Sequence, residues 1–214
     1  MGRRRFPKDR KLGRKAATRR PRLKLIIVCE GANTEPHYLK EFAHAHRNEL
    51  VEIDIVPAAG VPFSVVDKCV SHNKGLKRLA RKSGDSFAEA YEVWGVFDID
   101  EHPRIADTKA RARDTGVHLA ISNPCIELWA LLHFGDQDAH IHRHDLQRRL
   151  TTLMPGYEHN KRAIFDYAQM RPNYAEALQR SKRLRKRRSQ ADDAGGNPST
   201  DLDLLLELIA ENGR

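Results

Sequence analysis

The sequence predicts an α/β fold: a mainly parallel sheet flanked by helices, with a helical C-terminal elaboration. Two observations predict it. Four short, β-rich apolar runs, KLIIVC (24–29), EIDIVP (52–57), EVWGVF (92–97) and VHLAI (117–121), are separated by helical stretches at roughly 35–47, 62–82 and 104–115. Strand–helix–strand alternation at this spacing builds a parallel sheet with helices on its faces. The runs are also nearly continuous in apolar residues, which suits strands buried on both sides.

Ahead of the first strand, MGRRRFPKDRKLGRKAATRRPR has no apolar periodicity and carries Arg3, Arg4 and Arg5. We read residues 1–21 as a flexible basic arm and 22–214 as one domain. After the fourth strand, helical patterns cover 123–134, 144–154, 173–190 and 199–212, and ADDAGGNP (191–198) reads as a loop. No internal repeat is evident.

Lys and Arg number 38 against 29 Asp and Glu, a formal net charge of +9. An excess of that size favours a polyanionic partner such as DNA or RNA. It concentrates in the arm and in RSKRLRKRR (180–188), which contains Lys182, Arg183, Arg185, Lys186, Arg187 and Arg188. These side chains could neutralise phosphates, or could simply form a solvated helix face. Cys29, Cys69 and Cys125 are widely spaced and form no CxxC, so they read as small buried hydrophobes in a reducing cytoplasm. No apolar run approaches membrane-spanning length and no signal-type segment follows the basic start, so a cytoplasmic location without membrane contact is expected.

The chemistry lies at the strand ends. The first strand runs directly into Glu30 and Gly31, and the third into Asp98, Ile99, Asp100 and Glu101. Residues two apart on an extended segment share a face, so Asp98 and Asp100 can aim at one point. In open parallel sheets, sites form beyond the carboxyl ends of the strands. If strands one and three are neighbours, three carboxylates converge there. Such a group repels itself unless cations or protons intervene, and its hard oxygens suit Mg²⁺ or Mn²⁺. Gly31 would let backbone approach a metal or phosphate closely. A lone DxD is weak, and strand-end acids can also cap helices or sit in water.

Further residues could support this site. Asn123 reads as a helix N-cap, with Pro124 in the first helical position and Glu127 in the first turns, leaning back toward the same edge. Glu127 serves either as a metal-side acid or as a helix-dipole or salt-bridged acid. Thr34 reads as the cap of the helix beginning near Glu35, although its hydroxyl or Asn33 could hold a phosphate. His102 could touch a leaving group or lie on the surface. The alternating His140, His142 and His144 read as a polar connecting loop rather than a metal site.

LIIVCEGANTEPHYLKEF, VFDIDEH, SNPCIELWALLHF and GGNPSTDLDLLLELI, in this order, resemble the RloB-like family over about residues 15–211. RloB-like proteins are regarded as relatives of the Toprim fold, itself Rossmann-like. The resemblance implies acid/base chemistry for Glu30 and Mg²⁺ coordination by Asp98 and Asp100, with Glu127 in a motif of less settled role. It also implies an association with restriction and phage-defence loci, often beside an ATPase, and a related Toprim effector cleaves transfer RNA. The expectation is a Mg²⁺-dependent nuclease of DNA or RNA, with a partner ATPase. The alternative is a module that binds nucleic acid or the ATPase without catalysis; a small-nucleotide sensor is a third possibility. There is no Walker-type loop, which argues against intrinsic ATP hydrolysis.

Overall fold

The structure is a computed structural model and describes residues 23–55, 61–84, 90–99, 102, 104–161 and 163–213. The basic arm, with Arg3, Arg4 and Arg5, lies outside the described residues, and so does Asp100. The expected alternation is present: β1 (Lys24–Cys29), α1 (Thr34–Ala45), β2 (Val51–Ile55), α2 (Pro62–Ser83), β3 (Tyr91–Asp98), α3 (Ile105–Thr115) and β4 (His118–Asn123). The helical C-terminal region follows, as α4 (Glu127–Leu132), α5 (Arg143–Leu153), α6 (Tyr167–Met170), a single 3₁₀ turn (Arg171–Asn173), α7 (Tyr174–Gln190) and α8 (Leu202–Asn212). Between α7 and α8 lies β5 (Ser199–Thr200).

The sheet order is β2-β1-β3-β4-β5. β1 pairs in parallel with both β2 and β3, and β3 in parallel with β4, whereas β5 is antiparallel to β4. Alternation along β1 supplies both layers of the core. Leu25, Ile27 and Cys29 enter the larger apolar cluster with Tyr38, Phe42, Trp129 and the C-terminal helices. Ile26 and Val28 enter the smaller one with α2 residues Val65, Val66 and Cys69. Both strand faces are covered, which accounts for the unbroken apolar runs. Gly95 in β3 lets α2 come close: a Cβ there would sit 3.3–3.5 Å from Leu119, Val65 and Cys69. The three cysteines are free and buried. No helix among the described residues is long and apolar enough to cross a membrane.

Three local expectations change. Residues 199–200 form a strand ahead of α8 rather than its first turn, because Ser199 and Thr200 pair with Asn123 and Ser122. Asn123 is therefore the last residue of β4, and the residue at the N-cap position of α4 is Ile126, so Asn123 does not cap that helix. Its side-chain amide donates to the Gly195 carbonyl at 2.9 Å, and α4 starts only at Glu127. Thr34 is the first residue of α1 and not its cap; its hydroxyl donates to the Ala163 carbonyl at 2.5 Å. α8 also closes back on the start of the sheet. The Leu23 N–H donates to Asn212 Oδ1 at 2.7 Å, and Asn212 Nδ2 donates to the Leu23 carbonyl at 2.6 Å.

Candidate active site

The strand order makes β1 and β3 neighbours, as the convergence of their terminal acids requires. After β1 the chain turns to α1, which packs on the larger core; after β3 it turns to α3, whose Ala112 belongs to the smaller one. The two loops diverge to opposite layers, leaving a crevice at the carboxyl end of the sheet, the usual ligand position in open α/β sheets. Glu30 and Asp98 flank it. The Glu30 N–H continues the ladder to the Val96 carbonyl at 3.1 Å, and the backbone N–H of Asp98 lies against the Glu30 carboxylate.

Two further acids face the same place. Glu35, in the first turn of α1, is only 7% exposed, and Glu127, opening α4, only 3%. Gly31 is what admits Glu35, because a Cβ at residue 31 would run into the Glu35 carboxylate. Burial first, then the charges of Glu35, Glu127 and Glu30, push the Asp98 carboxyl well above its ordinary range, and Arg143 opposes them. Burial also raises Glu30, against the Asp98 N–H and Arg143. Glu35 is pushed up to about 7 by burial, against its own backbone N–H and with help from Glu127 and Glu30.

Glu127 goes the other way. Burial raises it, but hydrogen bonds from His159, Cys125 and Tyr157 outweigh that and lower it to about 2. Its Oε1 accepts from Tyr157 Oη at 2.5 Å, from Gln147 Nε2 at 3.3 Å and faces His159 Nδ1 at 3.1 Å. Glu127 is thus a fixed negative charge held by its own donors.

Beside these acids opens a cleft of about 660 Å³, lined by His102, His159, Arg143 and the three histidines His140, His142 and His144. His102 Nε2 is 3.7 Å from Glu30 Oε1 and connects the cleft to the acids. The HIHRH stretch leads into α5: His140 and Ile141 precede the helix, and His142 is its cap and accepts from the His144 N–H at 3.4 Å. Asn33 is exposed at the start of α1 and makes no side-chain cap.

The donor set is of the right chemistry for a divalent ion, since the acids offer hard carboxylate oxygens, with Arg143, His102 and His159 as the bases beside them. Among the described residues no three His, Cys, Asp or Glu side chains already stand in an ion-holding group. Asp100, the third expected ligand, is outside them.

Most of the basic residues of α7 are paired within the protein. Lys182 meets Glu207 at 2.6 Å, Arg183 meets Asp136 at 2.7 Å, Arg187 meets Asp138 at 2.5 Å and Arg188 meets Asp193 at 3.1 Å. Arg185 forms a two-point bond to the fully buried Asp203, at 2.5 and 2.9 Å. Lys186 is exposed.

A family profile described as RloB-like protein matches residues 25–209. The chain belongs to the RloB-like protein family. The match runs from Leu25 in β1 to Ile209 in α8 and so includes Glu30, Glu35, Asp98 and Glu127. No curated protein and no solved structure matches the chain.

Four contributors to this candidate site, Glu35, Arg143, Tyr157 and His159, were not among the residues expected from sequence. Glu35 gave one usable signal, an acid five residues after Glu30 across a short glycine-containing turn. His159 and Tyr157 gave none, because they reach Glu127 from an irregular segment about thirty residues away.

Proposed function

We propose that this protein is a divalent-metal-dependent phosphodiester hydrolase acting on DNA or RNA, an effector of a phage-defence or restriction-associated locus working with a partner ATPase. The observation that carries the reading is the convergence of Glu30, Glu35, Asp98 and Glu127, from separate segments, at the carboxyl ends of β1 and β3. The likeness of Glu30 and the DxD to the Toprim signature supports the same assignment. Asp98, with Asp100 and Glu30, would hold Mg²⁺ or Mn²⁺, which would polarise the phosphodiester and lower the pKa of attacking water. Glu30, partly exposed and raised by burial, takes or returns a proton at the mouth of the site. His102 stands beside it toward the cleft, where a leaving oxygen would emerge. Arg143 offsets the negative charge on the cleft side.

The test is cleavage of RNA and of DNA with Mg²⁺, Mn²⁺ or EDTA, by the parent and by Glu30→Gln, Asp98→Asn and Asp100→Asn, each assayed with and without the products of neighbouring genes. We expect divalent-dependent cleavage that all three substitutions abolish while nucleic-acid binding persists. Cleavage indifferent to Asp98→Asn would overturn the reading. A second reading, a non-catalytic module binding nucleic acid or the ATPase, is favoured by one observation: the described carboxylates do not by themselves form an ion-holding group. It predicts binding without divalent-dependent cleavage under every condition.

A further inference from the structure

The pairing of the α7 cations leaves open which surface meets a polyanion, and α2 supplies a different one. Its outer side carries Lys74, Lys77, Arg78, Arg81 and Lys82, all exposed. The spacing i, i+3, i+4, i+7, i+8 places them on one face of the helix. Val65, Val66, Cys69 and Val70, in the first half of the helix, are buried in the smaller core with Ile26 and Val28, and Ala80 is buried beside the stripe.

Two independent observations set this stripe apart. From Lys68 through Gly84 the sequence contains no Asp or Glu. And among the described residues none of the five cations meets an acid, whereas the neighbouring α3 pairs Arg111 with Asp67 and Arg113 with Asp114. Like charges three and four apart weaken a helix by some tenths of a kcal/mol per pair. Here at least four such pairs are stacked without an intervening acid, a repulsion that small counterions screen and that a row of phosphates, which releases those counterions, would offset more fully.

We infer that the C-terminal half of α2 is a docking surface for the phosphodiester backbone of a nucleic acid. The stripe covers about 12 Å of helix, enough for two or three consecutive phosphates. It lies away from the carboxylates. α2 runs back toward the amino ends of the strands, where Asn73 Nδ2 donates to the Thr115 carbonyl at 2.9 Å just ahead of β4. Lys74 is therefore about 18 Å along the helix from its crevice end. The surface grips the flank of a polymer rather than the bond at the crevice, so it stands whether or not the hydrolase reading does.

The experiment measures dissociation constants by fluorescence anisotropy in EDTA, from 50 to 300 mM salt, for a 30-base-pair DNA duplex and a 30-nucleotide RNA. Three proteins are compared: the parent, a variant with Lys74, Lys77, Arg78, Arg81 and Lys82 all changed to Gln, and a variant with Lys182→Gln, Arg183→Gln and Lys186→Gln in α7. Each phosphate that is no longer neutralised lowers the salt slope on duplex by about 0.9. We expect the α2 variant to lose at least about two units of slope and at least about 30-fold in affinity at the lowest salt, with the α7 variant close to the parent. The unfolding midpoint of the α2 variant should stay close to the parent's, since relief of repulsion and loss of the favourable Arg81 and Lys82 charges in the last turn act in opposite directions. An α2 variant with the parent's slope, a loss confined to the α7 variant, or a parent that binds neither polymer would each overturn the inference. Working in EDTA keeps this outcome separate from any failure of cleavage.

Discussion

His159 meets the buried carboxylate of Glu127, Nδ1 to Oε1 at 3.1 Å, on the wall of the histidine-lined cleft. The same oxygen accepts from Tyr157 and Gln147. One buried charge thereby fixes three side chains that come from α5 and the irregular segment after it, and it joins the helical C-terminal region to the edge of the sheet.

Glu127→Ala should therefore cost stability, by roughly 3–5 kcal/mol, because it strands buried donors that were arranged around a charge. Glu127→Gln, which keeps one acceptor, should cost less, about 1–3 kcal/mol. Urea unfolding measures both. A loss under about 1 kcal/mol for the alanine variant would mean that the network does not hold the region together.

Glu127 and Glu35 predict opposite pH slopes. Glu127 is lowered from 4.5 to about 2 in the fold, so its contribution is present above pH 4.5 and is lost as pH falls through 2. Glu35 is raised from 4.5 to about 7, so the fold binds its proton more tightly than the unfolded chain does; its contribution is full below pH 4.5 and is lost as pH rises through 7. Each amounts to at most about 3 kcal/mol. Glu35→Gln should flatten the decline between pH 4.5 and 7 and leave the acid limb intact, as followed by chemical unfolding across that range.

Gly31→Ala tests the fit of Glu35. The added methyl has to displace a buried carboxylate, which should cost about 1–3 kcal/mol as overpacking does. Glu35→Ala removes the obstacle, so the double variant should be less unstable than the sum of the singles. Additivity in that cycle would show that the two residues do not press on each other.

On α7, Asp203→Ala should destabilise by about 3–5 kcal/mol, since it leaves Arg185 half-buried without its carboxylate. Arg183→Ala, which removes only an exposed pair with Asp136, should change stability by less than about 1 kcal/mol. Thermal unfolding of the two variants separates a structural cation from a surface one.

The parallel sheet was legible because burial on both faces writes itself into β1 and β3 as unbroken apolar runs, and because strand-end acids interrupt those runs abruptly. Glu30 and Asp98 could be read for the same reason. Adjacency of β1 and β3 could be posed only as a condition, since strand order leaves no local mark. Thr34 and Asn123 misled because short polar residues before a helical pattern resemble caps, while their bonds go to Ala163 and Gly195, far away in sequence. The α7 cations looked free because their acids, Asp136, Asp138, Asp203 and Glu207, come from other elements. The stripe on α2 was passed over in the sequence, where the arm and residues 180–188 are the denser basic runs; it stands out once the fold shows that its five cations are exposed and meet no acid among the described residues.

The clasp between Asn212 and the backbone of Leu23 joins positions 189 residues apart. A polypeptide is made from its amino end, so the strand bearing Glu30 leaves the ribosome early and is sealed late. Until α8 has emerged, that strand lacks both its latch and part of its apolar cover. The β1–β3 ladder can set the register of Glu30 and Asp98 as soon as both strands exist, but the closing of the sheet's first strand waits for synthesis through residue 212.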